Sequence, residues 1–195
     1  MHITSPAEPL PVLTPVRCDK LTGLADGLLF ETCLDMAKAR MRRNGGLLAV
    51  LLLDIDGFRP INDALGQCAG DEILKQLALR LKRAFRSCDT LARLKDDKFA
   101  ILVEDLPTLA DSEILAGKII SLLASPFQFC DRAIILDVSI GVATCTAGQK
   151  TNGTTLMKQA DAAMHDAKRT PGSFFQTFAG LLTHLAEASA AEMVM

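Results

Sequence analysis

Two aspartates separated by one residue follow the longest apolar run of this 195-residue sequence. The run covers residues 47–53, and its lack of polar alternation predicts a strand over Leu47–Ile55 that is buried on both faces. Asp54 and Asp56 would stand at the end of this strand, where carboxylates can hold Mg²⁺ against a phosphate. The backbone carbonyl of Ile55 can reach the same ion. The alternative is structural, because aspartate commonly ends a strand and begins a turn.

A second polar group separates two short apolar segments. Thr90–Leu94 and Phe99–Glu104 flank Lys95-Asp96-Asp97-Lys98, and this pattern predicts a β-hairpin with a four-residue tip. If the hairpin lies beside the strand that carries Asp54, Asp97 supplies a second carboxylate. Two aspartates on adjacent strands are a usual way to bind a magnesium–nucleotide complex. A solvated turn is the alternative interpretation.

A third group of polar and glycine residues surrounds a predicted helix start. It consists of Asn62, Asp63, Gly66, Gly70 and Asp71. Asparagine offers both a donor and an acceptor, and aspartate accepts from ring N–H groups, so this pair of residue types can read the edge of a base. Asp71 is also explained by the preference for acidic residues near a helix N-terminus.

Alternating helical and strand patterns must position these residues. The predicted elements are helix Leu24–Arg43, strand Leu47–Ile55, a short helix with Pro60 in its first turn, helix Gly70–Arg86, the hairpin, helix Leu109–Ala124, strands Phe127–Cys130 and Ala133–Cys145, helix Thr154–Arg169, strand Ser173–Phe178 and helix Leu181–Met195. The strand Ala133–Cys145 is expected to be interrupted or bent because of its length and Gly141. This order lacks strict βαβ alternation and predicts an α+β fold with a mostly antiparallel sheet flanked by helices.

Composition narrows the class of protein. Hydrophobic residues make up 49% and charged residues 23%, which is typical of a globular core. The net charge of −2 and the absence of Trp and Tyr argue against a nucleic-acid partner, because such surfaces need basic and aromatic residues. No signal peptide and no membrane span are predicted, and the six cysteines form no C-x-x-C pair, so we expect a cytoplasmic protein. Four prolines within the first 15 residues predict a leader or linker over residues 1–16.

The same residues carry a resemblance to a known family. The segments are Asp19-x-Leu21-Thr22-Gly23-Leu24, Asp54-Ile55-Asp56-x-Phe58-Arg59-x-Ile61-Asn62-Asp63-x-x-Gly66, Gly70-Asp71, Arg93-Leu94, Ser139-Ile140-Gly141-Val142-Ala143 and Ala160-Asp161-Ala162-Ala163-Met164-x-x-Ala167-Lys168. In this order and spacing the chain resembles the GGDEF domain family of diguanylate cyclases, and in particular the GGDEF halves of composite GGDEF–EAL proteins. The resemblance implies a ferredoxin-like, nucleotidyl-cyclase-like domain over residues 17–178, followed by a C-terminal helix or linker over 179–195.

The resemblance also implies the chemistry of the site. Enzymes of the family join two GTP molecules into cyclic di-GMP, with Mg²⁺ and with one GTP held by each of two subunits. The matching positions are Asp54, the Ile55 carbonyl and Asp97 for the metal, Asn62 and Asp71 for guanine, Phe58, Arg59 and Lys168 for the phosphates, and Arg86 and Asp89 for an inhibitory cyclic di-GMP site. GTP, cyclic di-GMP, a neighbouring domain such as EAL, or a second copy of the chain are the partners implied.

This sequence departs from the family pattern at the signature itself. Gly-Gly-Asp/Glu-Glu-Phe is replaced by Lys95-Asp96-Asp97-Lys98-Phe99, so both glycines are lost and the second acid is a lysine. The usual Asn-Arg pair is Asp26-Gly27, the usual His after Gly66 is Gln67, and the Arg expected after Lys168 falls at Gly172. We therefore expect no catalytic residues and a regulatory, nucleotide-sensing or docking role. The alternatives are a weakly active cyclase and an interaction domain that binds no nucleotide.

The C-terminal segment carries an apolar stripe at helical spacing. Leu181, Leu182, Leu185 and Ala188 form it, and no remaining strand is predicted to cover it. We expect this helix to pack on a neighbouring domain, on a second copy or back on this domain. A frayed terminal helix is the alternative.

Overall fold

The computed structural model describes residues 17–179, which form five helices and seven strands. The elements are α1 Gly27–Asn44, β1 Leu47–Ile55, α2 Phe58–Leu65, α3 Gln67–Ala84, β2 Thr90–Lys95, β3 Lys98–Val103, α4 Leu109–Leu123, β4 Phe127–Phe129, β5 Arg132–Ile134, β6 Val138–Thr146, α5 Gly153–Ala167 and β7 Phe174–Thr177. The leader over 1–16 and the apolar stripe that begins at Leu181 lie outside the described residues. Within the described range, no helix is long and apolar enough to cross a membrane.

A five-stranded sheet in the order β2-β3-β1-β6-β7 forms the centre of the fold, and β4 and β5 make a separate hairpin. The strand β1 pairs antiparallel with β3 on one side and with β6 on the other, while β7 pairs parallel with β6. The predicted α+β class with a mostly antiparallel sheet is confirmed. The parallel pair at one edge shows that the sheet is mixed.

Helices cover both faces of the sheet, which explains why β1 is apolar without alternation. Leu51 and Leu53 point into the core shared with α3 and α4, whereas Val50 and Leu52 point into the core shared with α1 and α5. Successive side chains of a strand face opposite sides, so a central strand between two helical layers must be apolar at every position. Asp54 is a buried exception at the end of this strand.

The structure corrects the predicted shape of the hairpin tip. Lys95 pairs with Lys98, so the turn consists of two residues, Asp96 and Asp97, rather than four. A register shift between Arg93 and Lys95 places a bulge just before the turn. Asp96 has a φ of +51°, a left-handed conformation that aspartate adopts more readily than most residues. Sequence composition alone did not distinguish a polar strand end from the turn itself.

A break was correctly expected in the segment Ala133–Cys145, but Gly141 is not its cause. The interruption falls at residues 135–137, between β5 and β6, and Gly141 lies within β6. A Cβ at Gly141 would lie 2.0 Å from the carbonyl oxygen of Ala160 in α5. The glycine is therefore needed for the close approach of α5 to the sheet.

Candidate functional site

A cleft of about 610 Å³ opens between the helices α2 and α3 and the tip of the β2–β3 hairpin. Its lining residues come from all three elements, and they are Phe58, Arg59, Asn62, Asp63, Gln67, Asp71, Leu74, Arg93, Asp96 and Asp97. Four of the five predicted nucleotide-binding residues are among them. The fifth, Lys168, lies at the C-terminal end of α5 beside Asp54.

The helices α2 and α3 supply most of the residues that line the cleft. Phe58 begins α2 and is buried in the core, which fixes the start of this helix against α3. Asn62 lies one turn further along α2, and Asp71 lies in α3. The amide oxygen Oδ1 of Asn62 is buried without a hydrogen-bond partner among the described residues. An amide and a carboxylate are thus brought to one cleft, as the sequence predicted.

Asp54 lies at the end of β1, directly between two neighbouring strands. Its register partners are Lys98 in β3 and Ser139 in β6. The Nζ atom of Lys168 donates to Asp54 Oδ1 at 2.6 Å, and the Asp54 side chain is 6% exposed. The burial that would penalise a lone carboxylate is offset by this ion pair. Lys168 therefore binds a carboxylate at the place where the resemblance puts a phosphate contact.

A second carboxylate lies near Asp54, on the hairpin turn. Burial raises the pKa of Asp97, and the negative charge of Asp54 raises it further, while the charge of Lys168 acts in the opposite direction. The pairing of β1 with β3 sets Asp54 opposite Lys98, next to Asp97, as expected if the two strands were neighbours. Among the described residues no cluster of three or more His, Cys, Asp or Glu side chains could hold a metal alone. The pair fits a Mg²⁺ ion whose remaining ligands are phosphates and water.

Asp56 is not among the residues that line the cleft, and it is hydrogen-bonded to β6 instead. Its carboxylate oxygens accept from the Ser139 hydroxyl at 2.9 and 3.0 Å. Burial raises the pKa of Asp56, although the Ser139 hydrogen bond and the charge of Lys168 lower it. The carboxylate therefore ties the turn that follows β1 to the strand β6.

The lysine that replaces the second acid of the signature pairs with an acidic residue of α5. Lys98 Nζ lies 3.6 Å from Asp161 Oδ1 of α5, although the backbone of Lys98 is directly opposite Asp54. Lys95 has a side chain that is 83% exposed, and it is not among the residues that line the cleft. Asp96, in contrast, lines the cleft.

Arg93 is a cleft residue that the sequence analysis did not assign to the site. Its Nε donates to the carbonyl oxygen of Asp96 at 2.8 Å, and its NH1 lies 3.3 Å from Asp19 Oδ1. Asp19 in turn accepts from the backbone N–H and the hydroxyl of Thr22. The segment 17–26 pairs along β2 through Ala25, so Arg93 joins the turn to this N-terminal segment. Asp19 and Arg93 are 74 positions apart in the sequence, so residue spacing does not reveal their contact.

Replacement of Asp19 by Asn is expected to cost about 1 kcal/mol at neutral pH, because a charge-assisted contact with Arg93 is lost. Burial alone would raise the pKa of Asp19, but hydrogen bonds from Thr22 and the charge of Arg93 outweigh it, so the pKa is lowered. The stabilisation is therefore complete above the unfolded-state pKa of about 4 and is lost as the pH falls through the lower folded-state value.

Urea unfolding at several pH values checks this prediction. The stability difference between the wild type and Asp19→Asn should shrink below about pH 4. Glu113→Gln serves as the control, because Glu113 is an exposed carboxylate on α4. A difference that is constant between pH 3 and pH 7 would show that the ionised form of Asp19 does not contribute.

The predicted inhibitory residues lie just before β2, at the end of this strand that is away from the hairpin tip. Arg86 and Asp89 line a second cleft of about 320 Å³ together with Lys82 and Phe85. One Asp89 oxygen accepts from the backbone N–H of Arg86 at 2.8 Å, which closes the turn between α3 and β2. The structure therefore brings Arg86 and Asp89 to one cleft, and the hydrogen bond between them also has a structural role in the turn.

The fold is that of a nucleotidyl-cyclase-like domain, with an amide and a carboxylate on two helices and two carboxylates at the ends of adjacent strands. The family model described as "Diguanylate cyclase, GGDEF domain" matches residues 16–173. The chain belongs to the GGDEF domain family, and the resemblance drawn from the sequence is confirmed.

Relatives and solved structures agree with this assignment. The chain is 37% identical over 150 residues to the bifunctional diguanylate cyclase/cyclic di-GMP phosphodiesterase MucR of Pseudomonas aeruginosa, covering 77% of this chain and 22% of MucR. The crystal structure of the GGDEF domain of TpbB from the same organism superimposes with a TM-score of 0.76 at 33% identity, covering 80% and 97% of the two chains. The GGDEF domain of DgcB from Caulobacter crescentus, solved in complex with cyclic di-GMP, has a TM-score of 0.75 at 25% identity and 89% and 99% coverage.

Proposed function

We propose that this domain binds a guanine nucleotide without joining two of them, and acts as a regulatory module in cyclic di-GMP signalling. The observation that carries the proposal is the altered hairpin beside an otherwise assembled cleft. Asn62 and Asp71 line the cleft from two helices. Asp96 lines it from the turn in place of a glycine, and Lys98, in place of an acid, begins β3. Recognition of the base and turnover of the phosphates depend on different residues, so one can persist without the other.

Loss of turnover follows from the position of Lys98. A protonated ammonium group cannot act as a general base, and lysine stays protonated near neutral pH. Its pairing with Asp161 keeps the side chain on the α5 side of the hairpin, so no acidic group takes the place of the missing one. Asp96 adds a negative charge to the cleft wall, which opposes a polyphosphate.

The phosphate end of the nucleotide would lie towards Asp54, Asp97 and Lys168. The two carboxylates would hold Mg²⁺ together with the phosphate oxygens, and the Ile55 carbonyl lies on the same strand end. Lys168 would exchange its contact with Asp54 for a phosphate, and Arg59 is exposed at the start of α2 where it can meet the same group. When bound, Mg²⁺ would supply charge neutralisation at the phosphates.

A regulatory role has support at the second cleft. Arg86 is exposed beside Asp89, and an arginine fork can bind guanine or phosphate. The solved DgcB domain in complex with cyclic di-GMP shows that a domain of this fold binds that dinucleotide. We propose cyclic di-GMP as a second ligand and a neighbouring signalling domain, or a second copy of the chain, as the protein partner.

Calorimetric titration with GTP and Mg²⁺ tests the proposal. The wild type should bind GTP, and Asp71→Asn should weaken binding about tenfold or more, because an acceptor for the base N–H groups is lost. Asp131→Asn is the matched control, since Asp131 is exposed in the turn between β4 and β5. Absence of any GTP or cyclic di-GMP binding would favour an interaction domain that takes no nucleotide.

A further inference from the structure

The amide oxygen of Asn62 occupies a position that only its neighbour Gly70 permits. A Cβ on Gly70 would lie 1.9 Å from Asn62 Oδ1, 2.9 Å from Asn62 Cγ and 3.0 Å from Phe58 Cζ. Real Cβ atoms do not approach other heavy atoms this closely, so any other residue would displace the Asn62 side chain. Gly70 lies inside α3, where glycine is less favourable than alanine. Glycine at position 70 is explained by the space that it leaves for the Asn62 side chain.

The contact accounts for the unpartnered oxygen. The hydrogen that Gly70 carries in place of a Cβ points at Asn62 Oδ1, and a Cα–H group is a weak donor. A buried amide oxygen is tolerated in this position better than an amide NH₂ group, which would lack an acceptor. Asn62 as a residue is half-buried although its oxygen is fully buried, so the nitrogen Nδ2 is the amide atom turned to the cleft.

We propose that Gly70 is a positioning residue that sets the purine preference of the cleft, acting through Asn62. This inference rests on the proposed binding of a guanine nucleotide. With Oδ1 held against α3, the Asn62 NH₂ group offers a donor to the cleft, and the Asp71 carboxylate, which lines the same cleft, offers acceptors. Guanine complements a donor and an acceptor, because N3 and O6 accept while N1–H and the 2-amino group donate.

Adenine does not complement this arrangement. It lacks the 2-amino group, and its N1 carries a lone pair that would face the Asp71 carboxylate. A site built to hydrogen-bond a group rejects an analogue that lacks it, because the buried polar atoms are left unpaired. When the Asn62 amide is displaced, the ordered donor is lost and the distinction between the two purines weakens.

The test is the ratio of GTP to ATP affinity in Gly70→Ala, measured by calorimetry with Mg²⁺. GTP binding should weaken about tenfold or more while ATP binding changes little, so the ratio falls towards one. Gly117→Ala is the matched control, because Gly117 is also helical and a Cβ there meets nothing within 4 Å. A Gly70→Ala protein that keeps the wild-type ratio would overturn the proposal.

A double-mutant cycle separates positioning from a general structural effect. In an Asn62→Ala background, Gly70→Ala should cause no further loss of GTP affinity, because the displaced group is already absent. Equal losses in both backgrounds would show that Gly70 does not act through Asn62.

Thermal unfolding without nucleotide keeps this inference distinct from the proposed function. Gly70→Ala should melt lower than Gly117→Ala in the wild-type background and lose that difference in the Asn62→Ala background. A difference that survives in Asn62→Ala would refute the Gly70–Asn62 coupling. A wild type that binds no guanine nucleotide would refute the proposed function instead, and the unfolding cycle would still report the coupling.

Discussion

A Lys98→Glu variant is expected to make no cyclic di-GMP from GTP and Mg²⁺, whereas the triple variant Lys95→Gly, Asp96→Gly, Lys98→Glu is expected to give detectable product. Charge at position 98 is only one of the alterations. Asp96 holds a φ of +51° and lines the cleft with a second negative charge. Glycine adopts this backbone conformation freely and leaves the space to the nucleotide.

The structure separates the contributions of the two lost glycines. Lys95 has ordinary backbone angles and an exposed side chain outside the cleft, so most of the gain should come from Asp96→Gly. A double variant, Asp96→Gly with Lys98→Glu, is therefore expected to approach the triple. Catalysis needs two half-sites in near-attack geometry, where a misplacement of about 1 Å can cost on the order of 100-fold. Restoring the acid alone leaves the backbone of the turn unchanged.

Chromatographic quantification of cyclic di-GMP compares the product formed by the single, double and triple variants. Lys150→Glu is the control for charge, because Lys150 is exposed in the loop before α5, away from the cleft. Product from Lys98→Glu at the level of the triple variant would show that charge alone silenced the site. The glycines would then be dispensable in this chain.

Replacement of Gly141 by Ala is expected to cost more than about 4 kcal/mol, which is a large share of the stability of an ordinary domain. A Cβ there would lie 2.0 Å from the carbonyl oxygen of Ala160 and 2.2 Å from the backbone nitrogen of Met164. Both atoms belong to the backbone of α5, so no side-chain rotation relieves the overlap. The helix would have to move away from β6, and Lys168 at its end would move with it.

Circular dichroism during thermal and urea unfolding measures the effect. Gly141→Ala should give little folded protein or a strongly lowered midpoint. Gly117→Ala, which meets no neighbouring atom, should instead gain about 0.4–1 kcal/mol through helix propensity. A Gly141→Ala domain as stable as the wild type would contradict the close packing of α5 on the sheet.

The order of the elements could be predicted from the sequence because apolar periodicity was strong in both layers. The strand Leu47–Ile55 was predicted with its observed bounds, since unbroken apolar character requires a helical layer on each face. The start of α3 was placed at Gly70, three residues late, because the polar first turn, Gln67 and Cys68, carries no apolar signal. The length of the turn at Asp96 and Asp97 was overestimated, because the ends of strands near the surface are also polar.

The candidate site was predicted less completely than the fold. The resemblance to the GGDEF family implied one nucleotide site for Asn62, Asp71 and Asp97, and the structure brings these residues to one cleft. The pairing of Lys98 with Asp161 and of Arg93 with Asp19 depends on elements far apart in the chain. Side-chain direction at a strand end is set by such partners, which a single sequence does not identify.

The central claim is that the domain binds a guanine nucleotide but does not join two GTP molecules into cyclic di-GMP. The most direct measurement is incubation of the wild-type domain with Mg²⁺ and GTP at a concentration that calorimetry shows to be saturating, followed by quantification of cyclic di-GMP against a protein-free control. We expect saturable GTP binding and no product above the control. Steady formation of cyclic di-GMP by the wild type would contradict it.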